Sequence, residues 1–226
     1  MLLNDIVRNS VFIFVKIYVL LLCLSTYVQA EDVPALLRAV QERYNRAQTV
    51  QVHFSQTFKP PSRPPKIESG KLFLRRPGLM RWQYETPPGK LFISDGKFLY
   101  LYTPASNRVQ TMRLRESDDL RTPLAFLLGR LDFWRDFERF VSRPEGASTR
   151  LRAKPRSERA PYSEIEFTVA PSRQITYLRV LGEDGSTMEF QLRDEKLNLP
   201  VEPALFRFTP PPGVEVIEGL TEEEGF

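Results

Sequence analysis

The chain holds one histidine, His53, and one cysteine, Cys23. Nucleophilic catalysis needs a hydroxyl or thiol beside a base, and a zinc site needs several histidine or cysteine ligands together. No Gly-x-Ser-x-Gly turn accompanies His53, and one imidazole cannot make a zinc cluster. His53 therefore reads as an ordinary strand residue. Asp118-Asp119 and Glu222 to Glu224 lack the regular oxygen-ligand spacing of a calcium loop and read as solvated charge. No glycine-rich phosphate cradle occurs. These residues point to a protein that is not an enzyme, with no cofactor and no metal.

Cys23 sits in an N-terminal run with the parts of a secretory signal. Arg8 and Lys16 give a positive flank, Ile17 to Leu24 an apolar core, and Val28-Gln29-Ala30 a cleavage site before Glu31. The core is short for a bilayer span, although an uncleaved anchor is the alternative. Residues 1–30 are thus expected to be a signal peptide and 31–226 a single exported domain. Leu20 to Leu22 before Cys23 fit a lipidation site poorly, so a soluble product is expected rather than a lipoprotein. The exported part would carry no thiol, and its stability must come from packing rather than disulfides.

The full chain has 32 basic and 28 acidic residues, interspersed, for a net charge of +4. The run Arg150 to Arg159 is broken by prolines and a glutamate and reads first as a solvated loop. Without a dense basic patch carrying aromatics, a nucleic-acid groove is not expected. Phenylalanines, tyrosines and prolines in number favour strands separated by turns.

Pro34, Leu36, Leu37, Val40 and Tyr44 predict a short helix ending near Ala47. Val50, Val52, Phe54 and Gln56 alternate as a strand, with His53 and Ser55 on its other face. Lys59 to Pro65 is a proline-rich connection. Strands follow at 69–75, 79–84, 90–94, 97–103 and 108–114, with Asp95-Gly96 as a tight hairpin turn. Thr122-Pro123 opens a helix through Leu124, Phe126, Leu127, Leu128 and Leu131 that is apolar around much of its circumference. Trp134, Phe137 and Phe140 return the chain to sheet. Later strands are expected at 149–154, 163–170, 174–181, 186–193 and 204–208. About twelve strands and two helices result.

Strand 97–103 is apolar on both faces, with Phe98, Tyr100 and Tyr102 on one and Leu99 and Leu101 on the other. A strand in a simple sandwich solvates one face. The second face could meet the middle helix or an acyl ligand, or loops could simply cover it.

The segment Ser69-Gly70-Lys71-Leu72-Phe73-Leu74-Arg75-Arg76-Pro77-Gly78-Leu79-Met80-Arg81-Trp82 resembles the periplasmic outer-membrane lipoprotein carrier (LolA) family. Phe54-Ser55-Gln56, Ser94-Asp95-Gly96-Lys97, Tyr102-Thr103-Pro104, Thr122-Pro123 and Phe206 to Val214 match it in the same order. The resemblance implies a mainly β fold, an unclosed antiparallel half-barrel with a helical lid over a hydrophobic cavity. It implies a periplasmic chaperone that shields the acyl chains of lipoproteins. Such a carrier takes them from an inner-membrane ABC-type release complex to an outer-membrane receptor. It would be a monomer. The arginine before the motif's proline, here Arg76, would gate the lid by bonding its backbone carbonyls. Met80 stands where the family commonly has phenylalanine. Leu72, Leu74, Met80, Trp82, Leu124, Phe126, Leu127, Leu128 and Leu131 become candidates for the cavity or lid. A paralogue carrying another lipid or glycolipid, and an interaction domain without lipid cargo, are the alternatives.

Overall fold

The computed structural model describes residues 32–114, 131–158 and 160–219. Its first element is helix α1, Val33–Arg46. Leu36, Leu37, Val40 and Tyr44 are its buried stripe. Arg43 and Arg46 lie in its last turn, where a positive charge complements the carbonyl end of the helix dipole.

Twelve strands follow: β1 Thr49–Lys59, β2 Lys66–Arg75, β3 Leu79–Thr86, β4 Leu91–Asp95, β5 Phe98–Thr103, β6 Arg108–Arg113, β7 Phe137–Glu145, β8 Ser148–Pro155, β9 Tyr162–Val169, β10 Ile175–Gly182, β11 Thr187–Leu197 and β12 Glu215–Glu218. They form one sheet in the order β12-β6-β5-β4-β3-β2-β1-β11-β10-β9-β8-β7. Neighbours are antiparallel except β12, which runs parallel to β6. The sheet does not close, because β12 and β7 stand at opposite ends of that order.

The sheet is strongly curved. Trp82 on β3 and Phe190 on β11 are three strand spacings apart, about 14 Å on a flat sheet, yet their rings meet at 5.7 Å. Phe54 on β1 lies between, 4.6 Å from Trp82 and 5.2 Å from Tyr84. Gly70 permits this crowding, since a Cβ there would stand 2.1 Å from the Gln83 carbonyl oxygen. Asp95 accepts from the amides of Lys97 and Phe98 at 2.8 and 2.7 Å and so fixes the Asp95-Gly96 hairpin.

Three expectations from the sequence need correction. Trp134 is not yet in the sheet: it lies in a short helix, Phe133–Asp136, before the sheet resumes at Phe137. Residues 204–208 are not a strand: Pro203–Phe206 is a 3-10 turn, and β12 lies further on. Pro203 lacks a ladder donor, and Phe206 is buried instead of paired in the sheet. The run 150–159 is not simply a solvated loop, because Arg150 to Pro155 belong to β8. Arg150 pairs there with Glu166 at 2.8 Å.

The second face of β5 is covered by the C-terminal segment. Phe208 lies 5.3 Å from the Tyr100 ring and 6.1 Å from that of Tyr102. Arg81 bonds the Leu205 carbonyl at 3.1 Å from the same face. Leu99 and Leu101 face the main core with α1.

Candidate functional site

The concave face is built in rows, since residues opposite each other on antiparallel strands share a face. Val50, Leu74, Met80, Ser94, Leu99 and Met112 form one row across β1 to β6. Val52, Leu72, Trp82, Phe92, Leu101 and Gln110 form the next. From β1 outward, Gln56, Phe190, Leu178, Phe167 and Leu151 continue the surface toward β8. Both arms belong to one apolar cluster with α1.

Of the residues singled out from the sequence, Leu72, Leu74, Met80, Trp82 and Leu131 all lie in this cluster. Trp82 Nε1 points at the Met80 sulfur, 3.0 Å away. Leu124, Phe126, Leu127 and Leu128 lie outside the described residues. His53 is on the opposite, outer face beside Asp194, 3.4 Å away.

Arg76 directs its side chain at the carboxyl end of α1. Its Nε donates to the Ala47 carbonyl at 3.1 Å and its Nη2 to that of Tyr44 at 3.2 Å. The Ala47 carbonyl lies just past the end of α1, and that of Tyr44 also accepts from the Ala47 amide at 3.2 Å, so Arg76 caps the last turn of the helix. Burial pulls the Arg76 pKa below the ordinary arginine value, but a guanidinium stays cationic in a protein. The rigid fork therefore reaches two acceptors at the helix end while part of it is out of water.

Three further contacts fasten α1. Glu195 accepts from Arg43 and, at 2.6 Å, from the Tyr44 hydroxyl, which itself accepts from the Ile175 amide at 2.9 Å. Burial first and the Glu195 charge second push the Tyr44 pKa up, so its phenol is neutral. Asn45 closes a reciprocal pair with Leu131, its Nδ2 donating to the carbonyl and its Oδ1 accepting from the amide, both at 2.8 Å. Gln41 accepts from the Phe133 amide at 3.2 Å, at the start of the short helix α2, Phe133–Asp136.

The concave face also holds polar groups that the motif reading missed. Glu68 and Lys90 are buried and paired, with Nζ 3.1 and 2.9 Å from the two carboxylate oxygens. Lys66 reaches the same carboxylate at 2.8 Å. Lys90 Nζ stands 4.5 Å over the Tyr84 ring, and the Tyr84 hydroxyl is 3.5 Å from Gln56 Oε1. Burial, then the charge of Glu68, raise the Tyr84 pKa well above the ordinary phenol value. The signal lay in the alternation: Gln56 continues the inward series of Val52 and Phe54, and Glu68 that of Leu72 and Gly70.

The model of the outer membrane lipoprotein carrier protein LolA matches residues 45–209. An outer-membrane lipoprotein carrier protein of Proteus mirabilis is 32% identical over 179 residues, 78% of this chain and 85% of that one. One of Legionella pneumophila is 28% identical over 204 residues, 90% of this chain and 98% of that one. A solved LolA superfamily protein of Nitrosomonas europaea is similar at 12% identity with a TM-score of 0.44, covering 79% of this chain and 99% of that one. From a family match that spans β1 to the C-terminal segment and relatives aligned over most of their length, the chain belongs to the LolA family of outer-membrane lipoprotein carriers.

Proposed function

We propose that the protein is a periplasmic chaperone that shelters the acyl chains of lipoproteins against its concave face. It takes them from an inner-membrane ABC-type release complex and hands them to an outer-membrane receptor. The chain does no chemistry on its cargo. One observation carries the reading: a large, mostly apolar face is covered by a helix whose end is held through hydrogen bonds from Arg76. Such bonds can exchange for water when the helix moves, while the face beneath keeps its affinity for hydrocarbon. Each acyl methylene removed from water contributes roughly 0.8 kcal/mol, so bare release of two or three chains is prohibitive. Handover between sheltered surfaces avoids that cost. Membership of a family whose relatives bear the carrier name supports the same reading.

The test is to express the protein in the periplasm beside a tagged acylated lipoprotein and identify what copurifies by mass spectrometry. Stoichiometric triacylated lipoprotein is expected. Another lipid alone would replace the cargo in this reading with that lipid. No bound lipid, together with failure to solubilise lipoprotein released from membranes, would contradict carriage altogether.

A further inference from the structure

The concave face is not apolar throughout. At the end of the half-barrel away from Arg76, polar residues from β1 to β5 form a band two rows deep. Gln56 and Glu68 are in one row and Tyr84, Lys90 and Thr103 in the next, which continues Phe54 and Gly70. Gln56 on β1 faces Glu68 on β2. Tyr84 on β3 stands beside Lys90, whose carbonyl accepts from the Tyr84 amide at 3.1 Å. The register of Leu91 with Tyr102 places Lys90 opposite Thr103 at the end of β5. Lys90 continues the inward series of Phe92 and Ser94, and Thr103 that of Leu99 and Leu101.

Three properties distinguish this band from ordinary core. First, a buried ion pair contributes little to stability, and well-packed apolar residues can usually replace it without loss. The neighbouring row of Val52, Leu72, Trp82, Phe92 and Leu101 shows that this face accepts such residues. Second, its charges do not cancel: Glu68 carries one negative charge, and Lys66 and Lys90 both pair with it. The surplus favours a hydrogen-bond acceptor. Third, Thr103 Oγ1 is buried without a hydrogen-bond partner among the described residues. A buried hydroxyl left unpaired is costly, and its O–H is free to donate to a ligand oxygen.

We propose that this band is a polar subsite that receives the ester carbonyls of an acylated glycerol. Thr103 Oγ1 supplies a donor, and the net positive charge of the Lys66, Glu68 and Lys90 cluster supplies the attraction. The inference rests on the carrier reading and adds orientation to it. Acyl chains run from the band toward Arg76 over Trp82 and Met80, and along β3 the apolar run from Tyr84 to Met80 is roughly 13 Å. Lys66, with its side chain 55% exposed, marks where the band reaches water. The polypeptide of a lipoprotein can leave there while its chains stay dry.

The experiment compares two fluorescent probes with identical hydrocarbon, a diacylglycerol ester and its dialkyl ether, which lacks the carbonyl acceptors. The intact protein should bind the ester about five- to tenfold more tightly, the range of one good hydrogen bond to a polar site. Thr103→Val, nearly isosteric, should remove most of that preference while leaving ether binding unchanged. Lys90→Met in combination with Glu68→Leu should do the same, with circular dichroism reporting the fold. If that pair fails to fold, Thr103→Val decides alone. Equal binding of ester and ether by the intact protein, or a preference that survives Thr103→Val, overturns the subsite and leaves carriage standing. Binding of neither probe removes the carrier reading, and the subsite with it.

Discussion

Arg76 joins the β2–β3 turn to carbonyls at the end of α1, and the charge on its donors makes these bonds stronger than neutral ones. Arg76→Met keeps an unbranched apolar stem and removes both. Bonds from charged donors contribute about 1.5–3 kcal/mol each, so their loss should loosen the end of α1. The ligand-free variant should bind an environment-sensitive apolar dye several-fold more than the parent, as read by fluorescence titration. Tyr44 and Tyr84 give a different signature, because burial raises both phenols above the ordinary value of 10.0. The unfolded chain then releases protons that the native state retains. The contribution of these two phenols to stability is therefore constant below about pH 10 and falls as pH rises past it, by up to 1.4 kcal/mol per pH unit for each phenol. Urea midpoints between pH 9 and 11 would show it, and Tyr44→Phe with Tyr84→Phe should flatten the slope. Gly70 has no room for a side chain against the Gln83 carbonyl. Gly70→Ala should cost at least about 1–3 kcal/mol in denaturant unfolding.

At the scale of elements, α1 is the part that ties the molecule together. Asn45 and Gln41 bind the backbone of Leu131 and Phe133, where the described chain resumes after residue 114. The helix thus senses both the Arg76 turn and the segment leading into α2. Asn45→Ala leaves the Leu131 amide and carbonyl without their partner, which costs about 1–3 kcal/mol. Hydrogen exchange should accelerate at Leu131 and Phe133, with little change in β9 to β11. The elements themselves were largely legible, since strict alternation from Val50 to Gln56 and the Asp95-Gly96 turn are local signals. The stripe Leu36, Leu37, Val40 and Tyr44 was equally direct. The C-terminal segment was not. Phe206 and Phe208 look like strand residues, and only the apolar outer face offered by Ile93, Tyr100 and Tyr102 makes them a cap. The inward position of Glu68 was legible in the alternation, but its pairing with Lys90 was not, for a related reason. The two are far apart in sequence, and the hairpins that bring them together are themselves the tertiary structure.

For the whole molecule, the sheet is open and its edges are managed rather than sealed. β12 is four residues long and carries Glu215 and Glu218. β7 has a register shift between Glu138 and Val141, with Arg139 at φ 56°. Both features discourage edge-to-edge pairing with another chain. An open half-barrel lets its concave face change cover without breaking a closed ring of hydrogen bonds, which suits a surface meant for exchange. The central claim is that acyl chains lie on that face, and Trp82 is placed to report them. The chain has two tryptophans, Trp82 in the core and the exposed Trp134. With Trp134→Phe, the remaining fluorescence belongs to Trp82 alone. The decisive measurement is quenching of that signal by a lipopeptide brominated along its acyl chains, titrated against its unbrominated twin. Saturable quenching at one lipopeptide per protein is expected. A lipopeptide that binds while Trp82 stays unquenched would place the cargo elsewhere and contradict the concave-face mechanism.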